Sequence, residues 1–383
     1  MRQRVQKDVS IVHDCPVTSA ASGLRETLAA TVLNPYHHEM RREQAATDTE
    51  RLTKRDRGRV ALLSIAGVLT VTLMTLAALE IFLRIADFRE FRETLSESAF
   101  AYDYDADLGW SPRPGSAGSM MTFRTTHYQH NSLGLRDEEF NLDSTPTIAF
   151  LGDSFVWGLD SEADERFSDL LKPMIPGHKI LAAGVSGFGT DQEYLLLRRI
   201  WPKVKPAIVV LVFCGLNDRE DNTRSVYFFN YYKPYFATRP DGSLQLMGQP
   251  VPRSHLLYFR DNWLVRNSWV ARLVINVYVR LRYPKVTVPD PSEKLVAKIR
   301  EFVDGNGSKF MVAIQYRDEA LARYLEAQRI PFVKLEGADS IKDSRENVWG
   351  AHWTPEGQKD VAARIYGMLS ANGVVSAKPP SGN

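Results

Sequence analysis

Five apolar runs of strand length, near 147–151, 179–184, 207–214, 309–316 and 331–335, punctuate this chain from residue 147 onward. Stretches that suit helices fall near 165–172, 191–201, 292–304, 318–328 and 355–370. Strand alternating with helix predicts a parallel sheet, because parallel neighbours need a crossover that a helix supplies. The first runs, such as Thr147-Ile-Ala-Phe-Leu151, are almost wholly apolar. Strands of that kind belong to a sheet covered on both faces, so the expected class is a three-layer α/β fold.

Ligands meet such sheets at the carboxyl ends of the strands. Three polar blocks sit there: Gly152-Asp-Ser154 after the first run, Gly184-Val-Ser-Gly-Phe-Gly-Thr190 after the second and Gly215-Leu-Asn-Asp218 after the third. A fourth block, Gly350-Ala-His-Trp-Thr-Pro-Glu-Gly357, precedes the last helix, with Thr354 and Pro355 as its N-cap and first-turn residue. Taken singly, the same residues have plainer uses. Ser154 suits a helix N-cap, Gly187 and Gly189 a turn, and Asn217-Asp218 an Asx turn.

Together they suit acyl transfer. A serine hydroxyl becomes a competent nucleophile when a neighbouring base takes its proton, and histidine is the side chain best poised to do so near neutral pH. The oxyanion that follows needs fixed N–H donors, which a glycine backbone and an asparagine amide provide. The nucleophile elbow of α/β-hydrolases is absent, because the second position after Ser154 is Val156 and not glycine.

In this order the four blocks resemble the SGNH (GDSL-type) hydrolases, in their membrane-anchored bacterial form, over roughly residues 145–370. The resemblance implies a flavodoxin-like three-layer sheet and places Ser154 as nucleophile and His352 as general base. It also implies an oxyanion hole made by the backbone N–H of Ser154 and Gly187 and the side chain of Asn217. It departs from the family at one place. The family usually sets an aspartate three or two residues before the histidine, where this chain has Trp349 and Gly350. The nearest preceding acids are Glu346 and Asp343. The expectation is therefore that His352 leans on a backbone carbonyl or water, with those two acids as lesser partners.

Val60 to Leu79 is a run of twenty residues without a charge. As a helix it spans about 30 Å, the thickness of a bilayer's hydrocarbon core, and the transmembrane segment is expected over 60–84. Arg51, Lys54, Arg55, Arg57 and Arg59 crowd its N-terminal side, while its other flank is mixed in charge. The positive-inside rule then puts residues 1–59 in the cytoplasm and the catalytic part outside the cytoplasmic membrane, in the periplasm or beyond.

The expected organisation is a largely disordered tail over 1–59, the span, a lead-in over 85–145, and the hydrolase-like domain over 146–372. An insert at 219–290 interrupts that domain, and a flexible tail ends the chain at 373–383. Met40 offers an alternative start within the first tail. In the insert, Pro240-Asp-Gly-Ser243 suggests a hairpin, and Trp263 to Tyr283 mixes apolar residues with arginines at the spacing of an amphipathic helix. Tyr102 to Trp110 and Asn131 to Asp137 in the lead-in resemble those of bacterial membrane-attached members of the family; they suit either a place beside the active site or an ordered linker. The net charge of +2 carries no nucleic-acid footprint. No Cys, His and acid cluster has metal-ligand spacing, and no cofactor is implied. Cys15 and Cys214 fall on opposite sides of the expected span, which precludes a disulfide between them.

These features lead to three functions on one scaffold. The first is hydrolysis of O-acyl, chiefly acetyl, esters of a carbohydrate or envelope glycan through an acyl-serine. The second is O-acetyl transfer to a polysaccharide by the same intermediate. The third is a non-catalytic glycan-binding or assembly subunit, suggested by the missing acid.

Overall fold

The computed structural model describes residues 35–92, 102–227, 231–337 and 352–376. Two compact units divide the chain, Met1–Ala77 and Ala78–Asn383. Helix α1, Pro35–Ala86, starts in the first and ends in the second. It corrects the expectation of a tail without regular structure through residue 59. From Pro35 onward the chain is helical, because Ala, Glu, Gln and Arg are strong helix formers and i,i+4 pairs such as Glu50–Lys54 at 2.8 Å support it. The apolar run continues the same helix and is long and apolar enough to cross a membrane. Residues 1–34, with Cys15, lie outside the described residues.

In the second unit, two antiparallel hairpins form the lead-in: β1 (Tyr102–Asp105) with β2 (Gly109–Pro112), and β3 (Ala117–Met121) with β4 (Thr125–Gln129). The core then runs β5 (Thr147–Gly152), α2 (Ser154–Trp157), α3 (Phe167–Met174), β6 (Lys179–Gly184), α4 (Thr190–Val204), β7 (Ile208–Cys214) and α5 (Asp218–Asp221). The insert supplies a hairpin, β8 (Tyr235–Thr238) and β9 (Leu244–Met247), and helices α6 (His255–Asp261), α7 (Trp263–Asn267) and α8 (Trp269–Arg282). The chain closes with α9 (Ser292–Gly305), β10 (Lys309–Gln315), α10 (Glu319–Ala327), β11 (Phe332–Lys334) and α11 (Pro355–Ala371). The expected hairpin over 240–243 is present. The expected single helix over 263–283 is broken at Ser268, whose hydroxyl caps α8 by accepting from Ala271 N.

The five-stranded sheet has the order β11-β10-β7-β5-β6, with every pair parallel. Counted along the chain this is 2-1-3-4-5, the flavodoxin-like winding, whose direction reverses between the first strand and the third. Alternate residues of β5 serve different cores. Ile148 and Phe150 pack with α3 and α11, and Ala149 and Leu151 with α4, α9 and α10. The result is the SGNH-like three-layer α/β arrangement. Residues 373–376, expected as loose tail, are tied down: Val374 N donates to Leu369 O at 2.9 Å, and Tyr366 Oη to Ser376 O at 3.2 Å.

Candidate active site

The blocks after β5, β6 and β7 meet at the winding reversal. Gly152 and Gly184 are register partners, and each is closed in by backbone or side chain. A Cβ on Gly184 would lie 2.3 Å from Trp157 N, so the turn after β5 packs directly on β6 only because residue 184 is glycine. That turn carries Ser154. Its helix is capped by Asp153, whose carboxylate accepts from Phe155 N at 2.9 Å. Ser154 is thus the first helical residue and not the cap, and its hydroxyl has another partner.

That partner is His352, whose Nε2 lies 2.9 Å from Ser154 Oγ. The ring rests against Phe155 at a centroid distance of 4.8 Å, and Trp353, fully buried, packs on the same phenylalanine. Thr354 accepts from Gly357 N at 3.1 Å and starts α11, as its sequence foretells.

On the other side of the ring, Nδ1 lies 3.1 Å from Asp160 Oδ2. This corrects the expectation of a carbonyl or water, and replaces the two acids named from sequence. Asp343 and Glu346 lie outside the described residues, as do Trp349 and Gly350. Asp160 stands six residues after the serine, in the loop that ends α2, with φ +62°, a left-handed conformation that aspartate adopts more readily than most residues. Its side chain is fully buried. Oδ1 accepts from the Thr122 hydroxyl and from Phe123 N, both in the lead-in hairpin.

The loop that carries Asp160 is held by buried cations. Arg136 donates to the carbonyls of His127, Trp157, Gly158 and Ser161. Burial, with Arg166 nearby, brings its guanidinium down to about 9. Gln358 of α11 donates to Ser161 Oγ at 3.0 Å and accepts from Phe167 N at 2.8 Å, which fixes the histidine's helix to the aspartate's loop. The lead-in therefore belongs to the site. Trp110 Nε1 also donates to Ser186 O at 3.2 Å in the second block.

Gly187 has φ +79°, and a Cβ there would lie 2.8 Å from the Tyr227 ring. Asn217 begins α5 without a side-chain cap bond, so it makes no Asx turn. Its Nδ2 donates instead to Asp153 Oδ2 at 3.0 Å. An amide nitrogen has two hydrogens, so one remains for another acceptor. Burial raises the Asp153 carboxyl, against which the Asn217 and Phe155 N–H groups work. Behind it, burial and neighbouring carboxylates drive Glu193 and Asp218 well above the usual range. Cys214 is a buried core thiol, also pushed up by burial. Among the described residues no group of His, Cys and acids could hold a metal ion.

Sequence reasoning named Ser154, Gly187, Asn217 and His352 and missed Asp160 and Asp153. The signal for Asp160 was a glycine-aspartate pair, Gly158-Leu-Asp160, directly after the short helix that Ser154 starts. The family resemblance points elsewhere, to an acid just before the histidine.

No family model and no curated protein matches the chain. Solved structures do. A GDSL-like lipase from Bacteroides thetaiotaomicron is 12% identical over 61% of this chain and 91% of its own, with TM-score 0.34. The lipase/acylhydrolase from Enterococcus faecalis is 17% identical over 62% and 100%, with TM-score 0.32. The psychrotrophic esterase EstA from Pseudoalteromonas is 12% identical over 59% and 97%, with TM-score 0.34. With its own strand order, the three blocks that end β5, β6 and β7, and His352 beside Ser154, this chain resembles the SGNH (GDSL-type) hydrolases.

Proposed function

We propose that the chain is a membrane-anchored serine esterase that removes O-acyl, chiefly acetyl, groups from a carbohydrate or envelope glycan. The observation that carries this is the line Ser154 Oγ, His352 Nε2, His352 Nδ1, Asp160 Oδ2, with separations of 2.9 and 3.1 Å. His352 takes the Ser154 proton as Oγ attacks the ester carbonyl. The buried Asp160 carboxylate fixes the proton on Nδ1 and stabilises the imidazolium. The N–H groups of Ser154 and Gly187 and the second Asn217 amide hydrogen hold the oxyanion. His352 then protonates the departing alcohol, and water, activated by the same base, releases the acid from Ser154.

The non-catalytic reading drew on a missing acid, and Asp160 removes that motive. For a sugar substrate the support is an aromatic side chain beside the second block. Tyr227, half-buried, adjoins Gly187 and packs at 5.4 Å on the buried Trp110 ring, which backs it. Residues 60–79 hold the enzyme in the cytoplasmic membrane, N-terminus inside, as the basic flank directs.

Turnover of p-nitrophenyl acetate by the full chain, with and without a glycan acceptor, is the direct test. Ser154→Ala should lower it by several orders of magnitude, because the covalent route disappears. Full activity in that variant sinks the proposal. Faster consumption with glycan, together with acetylated glycan, identifies a transferase instead.

A further inference from the structure

Helix α8 is amphipathic in the wrong sense for water. Its outward positions Val274, Val277, Tyr278 and Leu281, spaced i, i+3, i+4 and i+7, are 59%, 46%, 52% and 81% exposed. Its buried positions are Arg272 and Asn276, 5% and 3% exposed, with Val279 at 1%, so two of the three are polar. Arg272 is placed there by the carbonyls of Val265, Phe91 and Arg266, to which it donates. A helix on a solvated surface shows the opposite pattern. The preceding helix adds Trp263, 77% exposed.

The start of α8 is fixed to the end of α1. Glu80 accepts from Ser268 Oγ, Trp269 N and Val270 N at 2.9 to 3.0 Å, and Arg84 donates to Asn267 O at 2.7 Å. Glu80 is also the first charge after the apolar run that ends at Leu79. Consecutive Cα atoms are about 3.8 Å apart, so the first turn of α8 is held at the level where that run leaves the bilayer. Fourteen residues make a helix of about 21 Å, too short to cross. Arg280, paired with Glu90 at 2.7 Å, and Arg282 end it, and the Arg282 cation at that place suits a headgroup phosphate.

We infer that α8 is a second membrane contact, lying in the headgroup layer with the stripe from Val274 to Leu281 turned into the acyl boundary. This rests on reading residues 60–79 as the anchor, and it adds that the catalytic unit is held against the membrane surface instead of swinging on a tether.

Single added cysteines in a Cys15→Ser background, where the remaining thiol, Cys214, is buried in the core, test it. They are placed at Val277, Leu281, Leu69 in the apolar run and Asp304 on α9, and labelled with bimane. The full chain is then reconstituted in phosphatidylcholine vesicles with spin-labelled acyl chains. Labels at 277 and 281 should be quenched to within about twofold of that at 69, since an interfacial helix buries its apolar face about 5–10 Å deep. The label at 304 should stay bright. Quenching at 277 and 281 no greater than at 304 overturns the inference, and does so separately from the anchor, which fails only if 69 is unquenched. Disulfide-linked dimers of the unlabelled Leu281→Cys chain without quenching also overturn it, since a second copy then covers the face.

Discussion

A carboxylate that sets the tautomer of a histidine has to reach one nitrogen, and no rule of spacing confines where in the chain it comes from. Asp160 reaches Nδ1 of His352 across 192 positions of sequence. In the proposed triad its burial makes it worth more than an exposed acid, because charges attract more strongly away from water. Asp160→Asn should lower kcat by about 10⁴-fold, as the amide favours the wrong tautomer, with the fold intact. Asp343→Asn and Glu346→Gln should each be mild. If either acid variant matched the loss in Ser154→Ala while Asp160→Asn stayed active, Asp160 would not be the acid of the triad. This comparison is made by esterase kinetics on the four variants.

At the scale of the element, the turn after α2 does the positioning. Gly158 has φ +81°, and a Cβ would lie 2.2 Å from Arg166 Cδ. Arg166 cannot easily give way, being 2% exposed and bonded to Asp169 and to the carbonyl of Arg136. Gly158→Ala should therefore cost about 1–3 kcal/mol of stability from the backbone strain alone. It should also reduce kcat, since Asp160 sits two residues on. A thermal melt and an esterase assay on the same preparation decide this. An alanine variant with unchanged Tm and kcat would show that the turn tolerates a side chain. Gly158 and Asp160 are turn-forming residues in the sequence, but that this turn faces His352 depends on how α11 packs over the sheet.

For the whole molecule, the buried acids behind the site tie stability to pH. Glu193 and Asp218 titrate well above the ordinary carboxyl, and Asp221, pushed up by burial, near 7. Neither Glu193 carboxyl oxygen has a hydrogen-bond partner among the described residues. A carboxyl that holds its proton more tightly when folded stabilises the fold fully below its unfolded value, and loses that contribution as pH rises through the folded value. Stability should thus fall between about pH 5 and about pH 8, and Glu193→Gln, which cannot ionise, should flatten the fall. Melting curves at the two ends check it; an unaltered slope in the variant would acquit Glu193. The anchor has its own test. Reporter fusions after residue 50 and after residue 100 should signal opposite compartments, and the same signal from both would end the single-span topology.

Local chemistry was enough to read the parallel sheet, with five strands expected within two residues of where they lie, from 147–152 to 332–334. It also marked Ser154, Gly187, Asn217 and His352, since apolar runs and the polar blocks that end them are contiguous in sequence. It placed the start of α11 from Thr354 and Pro355, because a cap is a local device. The helical reach of α1 back to Pro35 was only half legible: its helix formers and i,i+4 pairs are local signals, but such a polar stretch persists as helix because it extends the apolar one. Only tertiary packing decided that the acid is Asp160, that Asn217 bonds to Asp153, and that α8 shows its apolar face outward. Each of these is a contact between segments distant in sequence, and such contacts are selected by how layers and loops close on one another.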